Sequence, residues 1–220
     1  MLIQKIYNQN MRRLFVNQIS QEMPLAEKDL HYLKTVLRLT CGTEISIFDG
    51  TKEGIARIQK DKLVLLQVTK TAQEKTKIKL AVAQIQQTRM EWLIEKATEI
   101  GVDEIFILKT QRVQKSVKFD RLEKIAQSAA TQSLRITIPV IHKIQTLSEF
   151  IEKLSETWYF GHIDGLSSDA GNVKNIMIGP EGGWSLDEIA VLQKKCIPLK
   201  LSENVLRTET AAIIGLLKLF

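Results

Sequence analysis

Apolar residues recur with two different periods along this chain, and the change falls at a polar stretch over residues 69–77. Before it, Arg12–Val16 (RRLFV) reads as a strand that opens on paired arginines, while residues 1–10 show no clear period. Glu27–Leu37 places Leu30, Leu33, Val36 and Leu37 on one face of a helix, with Lys28, Lys34 and Arg38 on the other. Three short apolar runs follow: Glu44–Phe48, Gly54–Ile58 and Leu63–Val68. The pair Asp49-Gly50 between the first two marks a tight turn. Short strands and one helix within about 70 residues predict a small β-barrel module over residues 1–72. The stretch 69–77 (TKTAQEKTK) lacks any period and reads as a linker.

Beyond it, apolar strands alternate with amphipathic helices. Ile78–Ile85 is a strand and Arg89–Ile100 a helix, with Gly101 placed to cap its C-terminus. Glu104–Leu108 is the next strand. Helices follow over Phe119–Gln132 and Leu147–Leu154, then a short strand at Trp158–Phe160. The end of the chain repeats one plan twice: strand Asn175–Ile178 leads to a helix from Ser185, and strand Ile197–Leu201 to a last helix from about Thr208. Strands alternating with helices predict an α/β domain over residues 73–220, its largely parallel sheet flanked by helices.

The two terminal units are where chemistry is expected. Gly179-Pro180-Glu181-Gly182-Gly183 follows a buried strand, and three glycines in five residues let a ligand come close to the backbone amides. Ser185 with Glu188 three residues on forms a capping box that starts the next helix. No Gly-Lys-Ser/Thr follows, so the loop is not a phosphate-binding P-loop, and it lacks the GxGxxG spacing of a dinucleotide site. In the second unit Leu206-Arg207-Thr208-Glu209-Thr210 sets an arginine just before a helix N-terminus, which suits an anionic group. Either loop alone also reads as an ordinary strand-to-helix turn. Two of them side by side at one edge of a sheet form the usual ligand site of open α/β folds.

Charge and composition narrow the partners. The net charge is +6. Residues 1–72 hold 11 Lys and Arg against 7 Asp and Glu, whereas the rest hold 20 against 18. The smaller N-terminal part is therefore the more basic per residue, which suits a polyanion. No apolar run approaches the ~18 residues of a membrane span, and residues 1–13 carry no apolar stretch of the secretory kind. Cys41 and Cys196 are isolated and His31, His142 and His162 scattered, so neither a disulfide framework nor a metal site is expected, and a reducing cytoplasm is.

IGPEGGWSLDEI followed by LSENVLRTETAA resembles the signature of the RsmE-type 16S rRNA (uracil-N-3) methyltransferases of the SPOUT superfamily. RMEWLIEKATEIGV is similar to that family's first catalytic-domain helix, and HYLKTVLRLTCGTEISIFDG to its N-terminal PUA-like RNA-binding barrel. The resemblance covers nearly the whole chain. It implies a C-terminal SPOUT domain with a deep trefoil knot, S-adenosylmethionine (SAM) held in that knot, a homodimer, and a uridine of the small ribosomal subunit as target. Carried over by position, the cofactor would be bound by Ile178, Gly179, Gly182, Leu201, Ser202, Val205, Leu206 and Thr210, with Arg207 and Glu209 at the methyl-transfer centre. There are departures. Ser202 stands where the family usually has Gly, and Asn204 where it often has Arg. Thr131-Gln132-Ser133-Leu134-Arg135 replaces a usual Glu-Gln-Ser-Gly-Arg, and Ile85–Thr88 lacks the usual Lys-Gly-Asp. Ser202 fits without strain only if its φ is negative.

Methylation of uracil N-3 needs the ring proton removed and the nitrogen aligned with the methyl group. Arg207 is the expected stabiliser of the developing anion; Glu209 is either the proton acceptor or the group that holds Arg207. RNA docking is assigned to Arg12, Arg13, Lys34 and Arg38, helped by Arg89, Arg112 and Arg135. Two other readings compete: a knotted methyltransferase acting on a ribose 2′-hydroxyl of tRNA or rRNA, and a non-catalytic RNA-binding assembly factor.

Overall fold

The computed structural model describes residues 12–73, 76–111, 117–166 and 173–219. The chain divides into two compact units, Met1–Glu74 and Lys75–Phe220.

In the first unit β1 (Arg13–Phe15), β2 (Glu22–Pro24), β3 (Glu44–Phe48), β4 (Lys52–Gln59) and β5 (Lys62–Thr71) form a curled sheet in the order β1-β3-β4-β5-β2. Among the described residues β1 pairs with β3 in parallel, and the other pairs are antiparallel. Leu14, Met23, Leu33, Ile45, Ile47, Ala56, Ile58 and Leu63 fill its core. The turn between β3 and β4 is the Asp49-Gly50 pair, with Gly50 at φ +90°, a conformation that favours glycine. The Asp49 carboxylate accepts from Thr51 N, Thr51 Oγ1, Lys52 N and Ile19 N.

Three features differ from the sequence reading, the first being strand β2, which was not expected. The helix α1 (Glu27–His31) continues as a π-helical turn over Tyr32–Val36. Strand β5 runs to Thr71, pairing with Lys52 and Glu53, so the polar start of the expected linker is strand. Its exposed face needs no apolar residues, which removes the period that sequence reading relies on.

The second unit is built on β6 (Lys79–Ala83), β7 (Glu104–Lys109), β8 (Val140–Thr146), β9 (Trp158–Leu166), β10 (Asn175–Ile178) and β11 (Cys196–Leu199). They form one sheet in the order β11-β9-β10-β6-β7-β8 in which every neighbouring pair is parallel. Alternate residues of the central strands face opposite cores. Leu80, Val82, Ile176 and Ile178 join Met90, Leu93 and Ile94 of α2 (Gln87–Ile100), Leu122 and Ala126 of α3 (Phe119–Gln132), and Ala212 and Leu216 of α6 (Thr208–Leu217). Ala81, Met177 and Phe160 join Leu147, Phe150 and Ile151 of α4 (Leu147–Glu152), Leu192 of α5 (Leu186–Leu192), and Trp184. Among the described residues no helix is long and apolar enough to cross a membrane.

Strand β8 was not expected. It is a sheet edge in which His142 and Lys143 interrupt the apolar residues, tied to β7 by the stacked Phe106 and His142 rings at 4.1 Å and by His142 Nε2 to Glu104 Oε2 at 3.0 Å. Leu134, at the position where the resemblance expects Gly, has φ +59°. Ser202 is not among the positive-φ residues, so the strain that a side chain there threatened does not arise.

Candidate functional site

The sheet's C-terminal edge carries two turns, and one hydrogen bond joins them. After β10, Gly183 N donates to Pro180 O at 2.8 Å, and Gly183 takes φ +69°. Gly179 lies against the Trp184 ring: a Cβ there would sit 2.8 Å from Cε2. The indole is held in turn by Nε1 donating to Gly161 O at 3.2 Å. Ser185 then caps α5, its backbone N donating to Glu188 Oε2 at 2.8 Å while Glu188 N donates to Ser185 Oγ at 3.1 Å. The other oxygen of that buried carboxylate accepts from Gln111 N at 3.0 Å. The capping box thus anchors the turn to the end of β7.

After β11, Lys200 N donates to Leu166 O at 2.9 Å and Asn204 N to Ser202 Oγ at 3.0 Å. Arg207 is the N-cap residue of α6, with extended φ and ψ and no side-chain cap bond. Thr208 Oγ1, at the first helical position, donates to Gly179 O at 3.0 Å. The second turn is thereby pinned to the first.

Between the turns lies a cavity of about 180 Å³, lined by Ile178, Gly179, Leu201, Ser202, Val205 and Leu206 together with Glu181, Gly183, Trp184 and Thr208. Gly182 and Thr210 do not line it; Gly183, Thr208 and Ala211 do. Residues Gly161, His162 and Ile163 of β9 contribute a third wall that sequence reasoning missed. The only early signal for them was the apolar run Trp158–Phe160 just before. Val205 is 85% exposed at the rim. Apolar side chains facing backbone N–H and C=O groups make a slot for a flat heteroaromatic ring with polar edges, as in an adenosine. A larger cavity, about 450 Å³, opens beside Thr110, Gln111 and Asp187, but neither of the two turns reaches it.

Arg207 is exposed, and no described carboxylate pairs with it. Glu209 is buried at 9% exposure and pairs with Arg89, Nε to Oε1 at 3.8 Å, rather than with Arg207. Its Oε2 is buried without a hydrogen-bond partner. Among the described residues no group of His, Cys, Asp and Glu is arranged to hold a metal ion.

The basic residues expected to meet RNA separate into kinds. Arg12, Lys34 and Arg38 are exposed on the first unit. Arg13 is buried instead, its Nε on Glu53 Oε1 at 3.1 Å and its guanidinium 3.9 Å from the Phe48 ring centroid. Arg135 is likewise turned inward: it donates to Thr98 O and Val102 O at 2.7 and 2.9 Å and to Thr137 Oγ1, beside Asp103. It satisfies carbonyls at the end of α2, and burial holds its pKa below the usual arginine value. Arg89 is paired with Glu181 and Glu209. Arg112 lies outside the described residues.

Comparison with known proteins bears on what this pocket does. Residues 72–219 match the model of the RNA methyltransferase domain, and residues 25–68 that of the RNA methyltransferase PUA domain. The ribosomal RNA small subunit methyltransferase E of Rickettsia conorii is 34% identical over 209 residues, covering 87% of this chain and 86% of that protein. The Synechocystis protein of the same name is 30% identical over 220 residues, 90% of this chain and 72% of that one. A Legionella pneumophila protein solved in complex with SAM superposes with a TM-score of 0.83 at 28% identity, covering 96% of this chain and 97% of that one.

Proposed function

The chain belongs to the RNA methyltransferase family that includes the ribosomal RNA small subunit methyltransferase E proteins, and we propose that it transfers a methyl group from SAM to N-3 of a uridine in the 16S rRNA of the small ribosomal subunit. The observation that carries this reading is the Thr208 Oγ1 bond to Gly179 O, which closes the two turns on one pocket. Ile178, Leu201 and Leu206 would flank the adenine ring of SAM, and backbone groups of the two turns would meet its polar edge. The residues present fit the group: adding a Cβ at Gly179 would drive Trp184 out of the wall. Bound SAM supplies a methyl group already activated by a sulfonium leaving group.

The remaining work falls to the protein's own side chains. Uracil N-3 carries a proton and is a weak nucleophile until it loses it. Arg207, at the positive end of α6 and engaged by no described carboxylate, stabilises the negative charge that develops on the base. Glu209 is assigned as the proton acceptor: its Oε2 has no partner in the fold, and being buried it is reached once the entering base uncovers it. The pairing of Glu209 with Arg89 favours this role over that of a holder for Arg207. A well-placed charge of this kind contributes ~3 kcal/mol, roughly a hundredfold in rate.

In the same reading the basic first unit docks the RNA through Arg12, Lys34 and Arg38, the enzyme works in the cytoplasm as a homodimer, and the strand crossings at β9, β10 and β11 belong to a deep trefoil knot. Exposed apolar side chains at Leu186 and Val205, 84% and 85% accessible, support a partner surface beside the turns. The test is methylation of small subunits that lack the modification, followed by mass analysis of the product nucleoside. The expected product is N-3-methyluridine, abolished or reduced about a hundredfold in kcat by Arg207→Ala with SAM still bound. A ribose-methylated product, or normal turnover in that variant, would overturn the assignment.

A further inference from the structure

The sequence marks Arg89 as one of several basic residues available to RNA; its surroundings give it another task. Arg89 is the third residue of α2, next to the fully buried Met90 that anchors the helix in the core. Its Nη1 donates to Glu181 of the glycine-rich turn, and its Nε lies 3.8 Å from Glu209 Oε1 in the first turn of α6. The three side chains come from three elements: a helix whose backbone is fixed by packing, the glycine-rich turn that lines the pocket, and the start of α6. The guanidinium is a planar fork that can meet two carboxylates along different edges. A guanidinium so engaged is shielded from a phosphate, because the two carboxylates beside it repel the anion.

We infer that Arg89 is a positioning residue for the pocket: it clamps the glycine-rich turn to the start of α6, fixes the distance between the two turns, and aims Glu209. The clamp acts alongside the Thr208–Gly179 bond, which joins the same two segments through the backbone side. Glu209 keeps one oxygen on Arg89 and leaves Oε2 for proton transfer. This inference rests on the reading of the pocket as a SAM site, but its consequences differ from those of an RNA contact. A phosphate contact would alter the RNA KM and its salt dependence and leave SAM affinity unchanged. A clamp alters SAM affinity and kcat and leaves the salt slope unchanged.

The experiment compares Arg89→Met and Arg89→Lys with Arg121→Met, a control that removes an α3 arginine paired at 3.5 Å with Glu91 of α2. SAM affinity is read by calorimetry, kcat and RNA KM by methyl transfer, and the salt slope by RNA binding. For R89M the expected outcome is SAM affinity and kcat each about tenfold lower or more, with RNA KM and salt slope unchanged; R89K recovers part of the loss, and R121M behaves as wild type. An R89M variant with normal SAM affinity and a shallower salt slope overturns the clamp and returns Arg89 to RNA contact. Wild-type protein that binds no SAM would overturn the reading of the pocket instead. In that case unfolding free energies of R89M, Glu209→Gln and the double variant still decide: non-additive losses retain the clamp, and additive ones exclude it.

Discussion

Gly179→Ala puts a single methyl group into the tightest contact of the pocket wall. The new Cβ would lie 2.8 Å from Trp184 Cε2 and 3.0 Å from its Cδ2 and Nε1. Carbon atoms in ordinary contact sit at about 3.5–4.0 Å, so ring and turn must separate by roughly 0.8 Å. Trp184 is 8% exposed, and its Nε1 already donates to Gly161 O at 3.2 Å, close to the limit of a useful hydrogen bond. Forced separation therefore strains a packed ring at about 1–3 kcal/mol and loses a hydrogen bond at about 1 kcal/mol. The expected destabilisation is about 2–4 kcal/mol, measured by urea unfolding followed by circular dichroism. Trp184→Leu alone costs about 3 kcal/mol through the lost ring. In the double variant the methyl group occupies space that the ring has left, so the two losses should fall short of their sum by about 2 kcal/mol. Strictly additive losses would refute the contact as the reason for glycine at 179.

Three further outcomes follow from other parts of the fold. Partial burial pushes the Asp49 carboxyl up, but donors from Ile19, Thr51 and Lys52 outweigh it and bring the pKa down to about 2. A depressed carboxyl stabilises the fold above its unfolded pKa and loses that effect as pH falls through the folded value. Asp49→Asn should therefore cost about 1 kcal/mol at pH 7, after allowance for solvent screening, and the gap from wild type should close between pH 4 and pH 2 in acid unfolding. Burial pushes the Cys196 thiol up to about 11, whereas Cys41 is exposed. A thiol reagent at pH 8 should accordingly modify Cys41 rapidly and Cys196 only on unfolding, as peptide mapping would show. Leu134 holds φ +59° with 63% of its surface exposed. Leu134→Gly should stabilise the fold by about 0.5–1 kcal/mol in chemical denaturation, and a loss of stability would show that the leucine packs usefully.

What the sequence made legible depended on whether a residue's role was local. The capping box at Ser185 and Glu188 was readable because both partners lie three residues apart, and it appears with both bonds formed. Strands β6 and β10 were readable because burial on both faces leaves continuous apolar runs. Edge strand β8 was not, since His142 and Lys143 break up Val140, Ile141 and Ile144 and leave neither a continuous apolar run nor an alternation to see. The same distinction explains the arginines. Arg13 and Arg38 look alike in the chain, yet Arg13 is buried against Glu53, forty residues away, while Arg38 is exposed. Arg135 and Arg89 are committed to partners more than thirty and ninety residues away. Net charge counts all of these as available to a polyanion, so it overstates the cationic surface. Only tertiary pairing separates arginines that hold the fold from those free to meet RNA. The salt dependence of RNA binding should follow Arg12, Lys34 and Arg38 and be indifferent to Arg13 and Arg135, apart from any loss of folded protein.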